Sequence, residues 1–250
     1  MSGHSKWAQI KRKKGAADAR RGQLFTKLAR AITVAARDGG GDPDGNAALA
    51  NAIEKAKALR MPKENIERAI ARGTGAGADA AAIESVTYEG YGPGGVALFI
   101  EALTDNRNRT AADVRQAFTK SDGNLGESGS VAWLFERKGV ILVEDGADED
   151  ELMLAAADAG AEDVEAEESG YRITAAPENL HSVRGALEEA GMPIESAEAT
   201  MVPKTVVSIE DETMARKVVR LVDDLEENDD VQAVYSNFDI PERVLEAVAT

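Results

Sequence analysis

Between Gly73 and Ala82 the chain changes its hydrophobic period, and this switch limits the possible folds more than any other feature. Before the switch, apolar residues recur every three to four positions. After it, short β-rich runs alternate with helical stretches. Gly and Ala fill the switch itself, as in a linker.

Residues 17–38 read as a helix. Leu24, Phe25, Leu28, Ile32 and Ala35 form one apolar stripe, and Arg20, Lys27, Arg30 and Arg37 share a separate face. Gly39, Gly40 and Gly41 end it. A second helix is expected from Asn46 to Arg60, with Leu49, Ile53, Ala56 and Leu59 turned inward. A third has Pro62 in its first turn, Ile66, Ala69 and Ile70 on its apolar face, and Gly73 as its stop.

Beyond the switch, Val86–Glu89 and Val96–Ile100 read as strands joined by the turn Gly90–Gly95. A helix is expected over about 110–120 and a strand over Ser130–Phe135. Residues 138–203 then hold a complete set. Val140–Val143 is a strand, Asp148–Ala159 a helix, Asp163–Ala166 with Tyr171–Thr174 a hairpin, Pro177–Ala190 a helix and Ile194–Met201 a strand. The order βαββαβ is the split-βαβ signature. Val206–Ile209, a helix over 211–228 and a strand at Val231–Ser236 complete the unit begun near residue 83. The expected fold class is α+β: an N-terminal helical module plus two ferredoxin-like (split βαβ) modules, one inserted in the other. The domains are placed at 1–76, at 77–137 joined to 204–250, and at 138–203.

Charge follows the same division. The chain carries a net −16. Residues 1–76 hold 16 Lys and Arg against 7 Asp and Glu, a net +9, and residues 77–250 hold 13 against 38, a net −25. Such asymmetry points to a polyanion partner for the basic part. The acidic part keeps the protein soluble and turns the basic end toward that partner. No Cys is present, which removes disulfides, thiol nucleophiles and Cys-ligated metals. No run of 18 apolar residues occurs and no apolar segment follows the opening residues, so neither a membrane span nor a signal peptide is expected. A cytoplasmic location is expected.

The leading candidate site is a basic arm: Lys6 and Trp7, then Lys11, Arg12, Lys13 and Lys14, backed by Arg20, Lys27 and Arg30 on the first helix. Lysine and arginine displace counterions condensed on phosphates, and Trp7 can stack on an exposed base. A second candidate is Asn106, Arg107, Asn108 and Arg109, between a strand and a helix. These side chains can donate to phosphate or a base edge at a helix N-terminus. Capping by Asn108 or Thr110 is an equal alternative. A third segment, Gly123–Gly129, is Gly-rich but lacks the ending of a phosphate loop and precedes a strand, so it reads as a flexible loop. Catalytic signals are poor. Only His4 and His181 occur, no metal-ligand spacing appears, and the runs Asp148–Glu151 and Glu165–Glu168 read as solvated faces. No enzyme activity, cofactor, metal or small-molecule substrate is expected.

Several blocks together resemble one family. Gly3-His4-Ser5-Lys6-Trp7 with Ile10–Lys14, Met61–Ile70, Tyr88–Gly95, Thr104–Thr110 and Gly129–Phe135 are similar, in this order, to the YebC/PmpR family. The resemblance implies a three-module bacterial cytoplasmic protein described as a DNA-binding transcriptional regulator. Relatives include the mitochondrial translational activator of cytochrome c oxidase, so ribosomal RNA and the ribosome stand beside DNA among the implied partners. No membrane partner is implied.

Overall fold

The computed structural model describes residues 17–76, 83–167 and 170–248. These divide into two compact units: residues 133–206, and the described residues before and after them. Among the described residues, no helix is long and apolar enough to cross a membrane.

The first unit to be met along the chain opens with three helices: α1 (Ala17–Gly39), α2 (Ala47–Ala58) and α3 (Lys63–Ala71). α1 packs against both of the others around Ile32, Ala36, Leu49, Ile53, Ala56, Met61 and Ile66. Asn46 caps α2, its side chain accepting from the Leu49 amide at 3.1 Å. α3 does not stop at Gly73 as its sequence suggests. It runs on into a wider turn, Arg72–Ala76. Gly73 serves another purpose there: a Cβ on it would lie 2.3 Å from the Thr33 carbonyl oxygen and 2.8 Å from the Ala36 side chain. The glycine lets the α1 backbone come close. Gly73→Ala is therefore expected to destabilise the helical part by about 2 kcal/mol, since regular helix backbone cannot give way. Urea unfolding followed by circular dichroism measures this, and an unchanged midpoint would refute the close packing.

The same unit continues with β1 (Glu84–Tyr91), β2 (Ala97–Thr104), α4 (Arg107–Lys120) and the short β3 (Asn124–Leu125). β1 and β2 form an antiparallel hairpin in register from Glu84 opposite Thr104 to Tyr91 opposite Ala97. β3 also pairs antiparallel with β1. β2 and β3 thus run parallel with β1 between them and α4 connecting them, which is a split βαβ unit.

The other unit, residues 133–206, contains β4 (Phe135–Glu144), α5 (Glu149–Asp158), β5 (Ala161–Glu167), β6 (Gly170–Ala175), α6 (Leu180–Glu189) and β7 (Ile194–Pro203). Its sheet has the order β5-β6-β4-β7 with antiparallel neighbours, the ferredoxin-like arrangement that the alternation of its elements implies. Ile141, Val143, Leu152, Ile173, Val183 and Leu187 fill its core. The open face carries charge, including the Lys138–Glu162 pair at 2.7 Å and the Arg172–Glu165 pair.

The chain then returns to the first unit with β8 (Val207–Ser208), α7 (Glu212–Glu226), β9 (Val231–Ser236), β10 (Phe238–Asp239) and α8 (Glu242–Val248). β9 adds to β2, giving the order β3-β1-β2-β9, with the hairpin at the centre of the sheet. β8 pairs with β10 in a separate parallel ribbon. α4 and α7 supply Val114, Phe118, Val218, Leu221, Val222 and Leu225 to the core above β2, whose Leu98 and Ile100 are fully buried. The expected strand at Ser130–Phe135 is instead a 3-10 turn, Ala132–Leu134, and β4 begins only at Phe135. The cause is Glu89 on β1. Its buried carboxylate accepts from the amides of Gly129, Val131 and Ala132 at 2.7, 2.7 and 2.8 Å, which bends that segment around it. Burial alone would raise the Glu89 carboxyl pKa, but the three amide bonds outweigh it and hold it below the usual range.

Candidate nucleic-acid interface

Lys6, Trp7, Lys11, Arg12, Lys13 and Lys14 lie outside the described residues, as does His4. Arg20 lies in α1, where only its backbone is described. The remaining basic face of α1 does face a partner, but that partner is the protein itself. Gln23, Lys27, Arg30 and Arg37 recur at i, i+4, i+7 and i+14, one stripe of the helix. Gln23 donates to the Glu227 carbonyl at 3.3 Å and Lys27 to the Glu226 carbonyl. Those carbonyls end α7, where the helix dipole is negative and attracts a cation. Arg37 donates to the Ile83 carbonyl just ahead of β1. Arg30 donates to the Leu103 carbonyl at 2.9 Å and to the Asp230 carboxylate. Lys27 and Arg30 are thus partly buried clamp residues, and their charge is answered within the fold.

Asp230 is the centre of this clamp. Its side chain is only 4% exposed and sits where β2 ends, β9 begins and α4 starts. Besides Arg30, it accepts from Arg109 at 2.7 Å and from the Thr110 hydroxyl at 2.6 Å. The Thr110 hydroxyl lies 2.7 Å from that of Thr104, which in turn accepts from the Asn106 amide at 2.8 Å. Burial alone would push the Asp230 carboxyl up, yet the bonds from Arg109, Thr110 and Arg30 prevail and hold it below the ordinary carboxylate range. The same contacts raise Arg109, through its bond to Asp230 first and to Asp105 second.

This geometry divides the second sequence candidate. Asn106 is the N-cap of α4, accepting from the Arg109 amide at 3.1 Å. Arg109 is held by Asp230 and Asp105. The capping alternative names the right task but the wrong residue. Arg107 and Asn108 face outward in the first turn, Arg107 lying 3.6 Å from Glu84 in an exposed pair. The third candidate is an ordered structural turn: its Gly129 amide binds Glu89, and Tyr91 donates to the Ser130 carbonyl at 3.1 Å. His181 is exposed on α6. Among the described residues, no group of three or more His, Cys, Asp or Glu is placed to hold a metal.

Sequence reasoning missed the clamp. Its one local signal was the 23-27-30-37 stripe, whose partners lie between 46 and 204 residues away.

Comparison with known proteins covers nearly the whole chain. Residues 5–76 match the TACO1/YebC protein N-terminal domain, and residues 83–238 match the TACO1/YebC second and third domain. A probable transcriptional regulatory protein of Rubrobacter xylanophilus is 61% identical over the full length of both chains. One of the same description from Geotalea uraniireducens is 55% identical over 98% of this chain and 99% of its own. The crystal structure of the conserved hypothetical protein Aq1575 from Aquifex aeolicus is 52% identical, with a TM-score of 0.78 over 90% of this chain and 93% of that one. Matches of this length and identity leave one conclusion: this chain belongs to the TACO1/YebC family.

Proposed function

We propose that this protein is a cytoplasmic, DNA-binding transcriptional regulator that grips the phosphate backbone with its basic N-terminal part. The observation that carries this is the segregation of charge, +9 in residues 1–76 against −25 in the rest. The names of its relatives, probable transcriptional regulatory proteins, support a regulatory role. Lys6, Trp7 and Lys11–Lys14 make the first contact in this reading, and Arg107 and Asn108, outward at the start of α4, make a second.

One observation favours a different target. The arm combines lysines with a single stacking Trp, and no recognition-helix motif accompanies it. Such an arm suits irregular RNA, where bases are splayed and phosphates crowd. A ribosome-associated translation factor that binds ribosomal RNA is therefore the second reading.

Competition at fixed, near-physiological salt separates the two. The competitors are a candidate promoter duplex, a random duplex and ribosomal RNA. Preference for the promoter over random duplex by about a hundredfold or more supports transcription, since operators are typically distinguished by about a thousandfold or more. Equal binding to both duplexes, with ribosomal RNA winning, rejects it in favour of the translation role.

A further inference from the structure

With the α1 stripe engaged in the clamp, the cations that the helical part turns outward sit elsewhere. The tip where α2 meets α3 carries Lys55, Lys57, Arg60 and Lys63, all exposed, and Leu59 beside them is 42% exposed. The tip is rigid. Met61 donates its amide to the Ala56 carbonyl and Arg60 to the Lys57 carbonyl, each at 2.9 Å, and the Met61 side chain is buried. This pair of bonds is the Schellman ending of a helix.

Two of the four cations stand where local backbone physics disfavours them. Arg60, at φ 58°, occupies the left-handed position that glycine fills most easily. Lys63 is the first residue of α3, where the helix dipole repels a positive charge. Lys55 and Lys57, in the last turn of α2, have a structural explanation in the opposite dipole end. Lys63 has only a long, exposed pair with Glu67 one turn on, at 3.5 Å. Arg60 has no such explanation, and a residue held in a strained conformation is grounds for seeking a function.

We propose that this tip is a second contact for the phosphate backbone of double-helical DNA, with Arg60 and Lys63 meeting phosphates and Leu59 lying against a sugar. The proposal rests on the nucleic-acid reading above and adds a site to it. A duplex is the better fit than a single strand, because the tip is preformed and bears no aromatic side chain on which a splayed base could stack.

The test uses the full chain, a short random DNA duplex and a structured RNA, with affinity read by fluorescence anisotropy across a salt series. Arg60→Gly should weaken duplex binding several-fold and lower the slope of log affinity against log salt by about one. The same change relieves the left-handed strain, so the unfolding midpoint should rise by about 2 °C or more. Arg60→Ala removes the charge but keeps the strain; it should match the glycine variant in binding and show no gain in stability. Arg60→Lys should retain most of the affinity. Opposite movement of affinity and stability in Arg60→Gly supports the tip contact. An unchanged slope in Arg60→Gly, while substitutions in the arm still weaken binding, overturns the tip and leaves the arm reading intact. Failure of the unaltered protein to bind either nucleic acid overturns the underlying reading. An effect seen with RNA alone overturns the assignment to duplex DNA.

Discussion

Asp230→Asn is expected to destabilise the protein by about 3 kcal/mol, the low end of the range for removing one partner of a buried ion pair. The carboxylate is nearly inaccessible and answers two guanidinium groups, from Arg30 and Arg109, together with the Thr110 hydroxyl. An amide keeps the shape but removes the counter-charge of Arg30 and leaves Arg109 with Asp105 alone. Arg30 and Arg109 retain some contact with water, which places the effect at the low end. The helical part should loosen from the sheet first, because Arg30 joins α1 to the start of β9 and the end of β2. Urea unfolding gives the magnitude. A loss below about 0.5 kcal/mol would mean that the clamp contributes little.

The same residue sets a pH dependence. Its carboxyl is held below its ordinary value in the folded state, so its contribution is complete above an unfolded pKa of about 3.9 and is lost as pH falls through the lower folded value. The unaltered protein should lose this stability on acidification below about pH 4. The Asn variant should lack that component of the slope, and both proteins should be insensitive to this position near neutrality.

What the sequence disclosed, and what it hid, follows from the range of each interaction. The three helices were legible because their apolar stripes are local, and the inserted ferredoxin-like unit because its elements alternate in a recognisable order. The segment after Gly129 was misjudged as a strand because its bend is imposed by Glu89, some 40 residues earlier. Gly73 looked like a helix stop, whereas the Thr33 carbonyl of another helix requires it. The basic face of α1 was visible as a pattern but not as a docking face, since a cation facing a carbonyl and a cation facing a phosphate have the same sequence signal. The motif Thr104–Thr110 reads, in the structure, mainly as a joint around Asp230. The arm, where much of the charge argument rests, precedes the described residues.

Changing Lys11, Arg12, Lys13 and Lys14 together to Ala is expected to have the largest effect on binding. These are four cations in succession, with Lys6 and Trp7 close by. Each phosphate contact releases nearly one condensed counterion from duplex DNA. The slope of log affinity against log salt should therefore fall in magnitude by roughly 3–4, and affinity at near-physiological salt should fall by tenfold or more, on the order that four lost contacts imply. Stability should move little, by about 0.5 kcal/mol or less per position. A matched salt titration of the unaltered protein and this variant, on the same duplex and on the same RNA, tests the central claim most directly. The expected result is a shallower slope with an unchanged unfolding midpoint; an identical slope in the two proteins would contradict it.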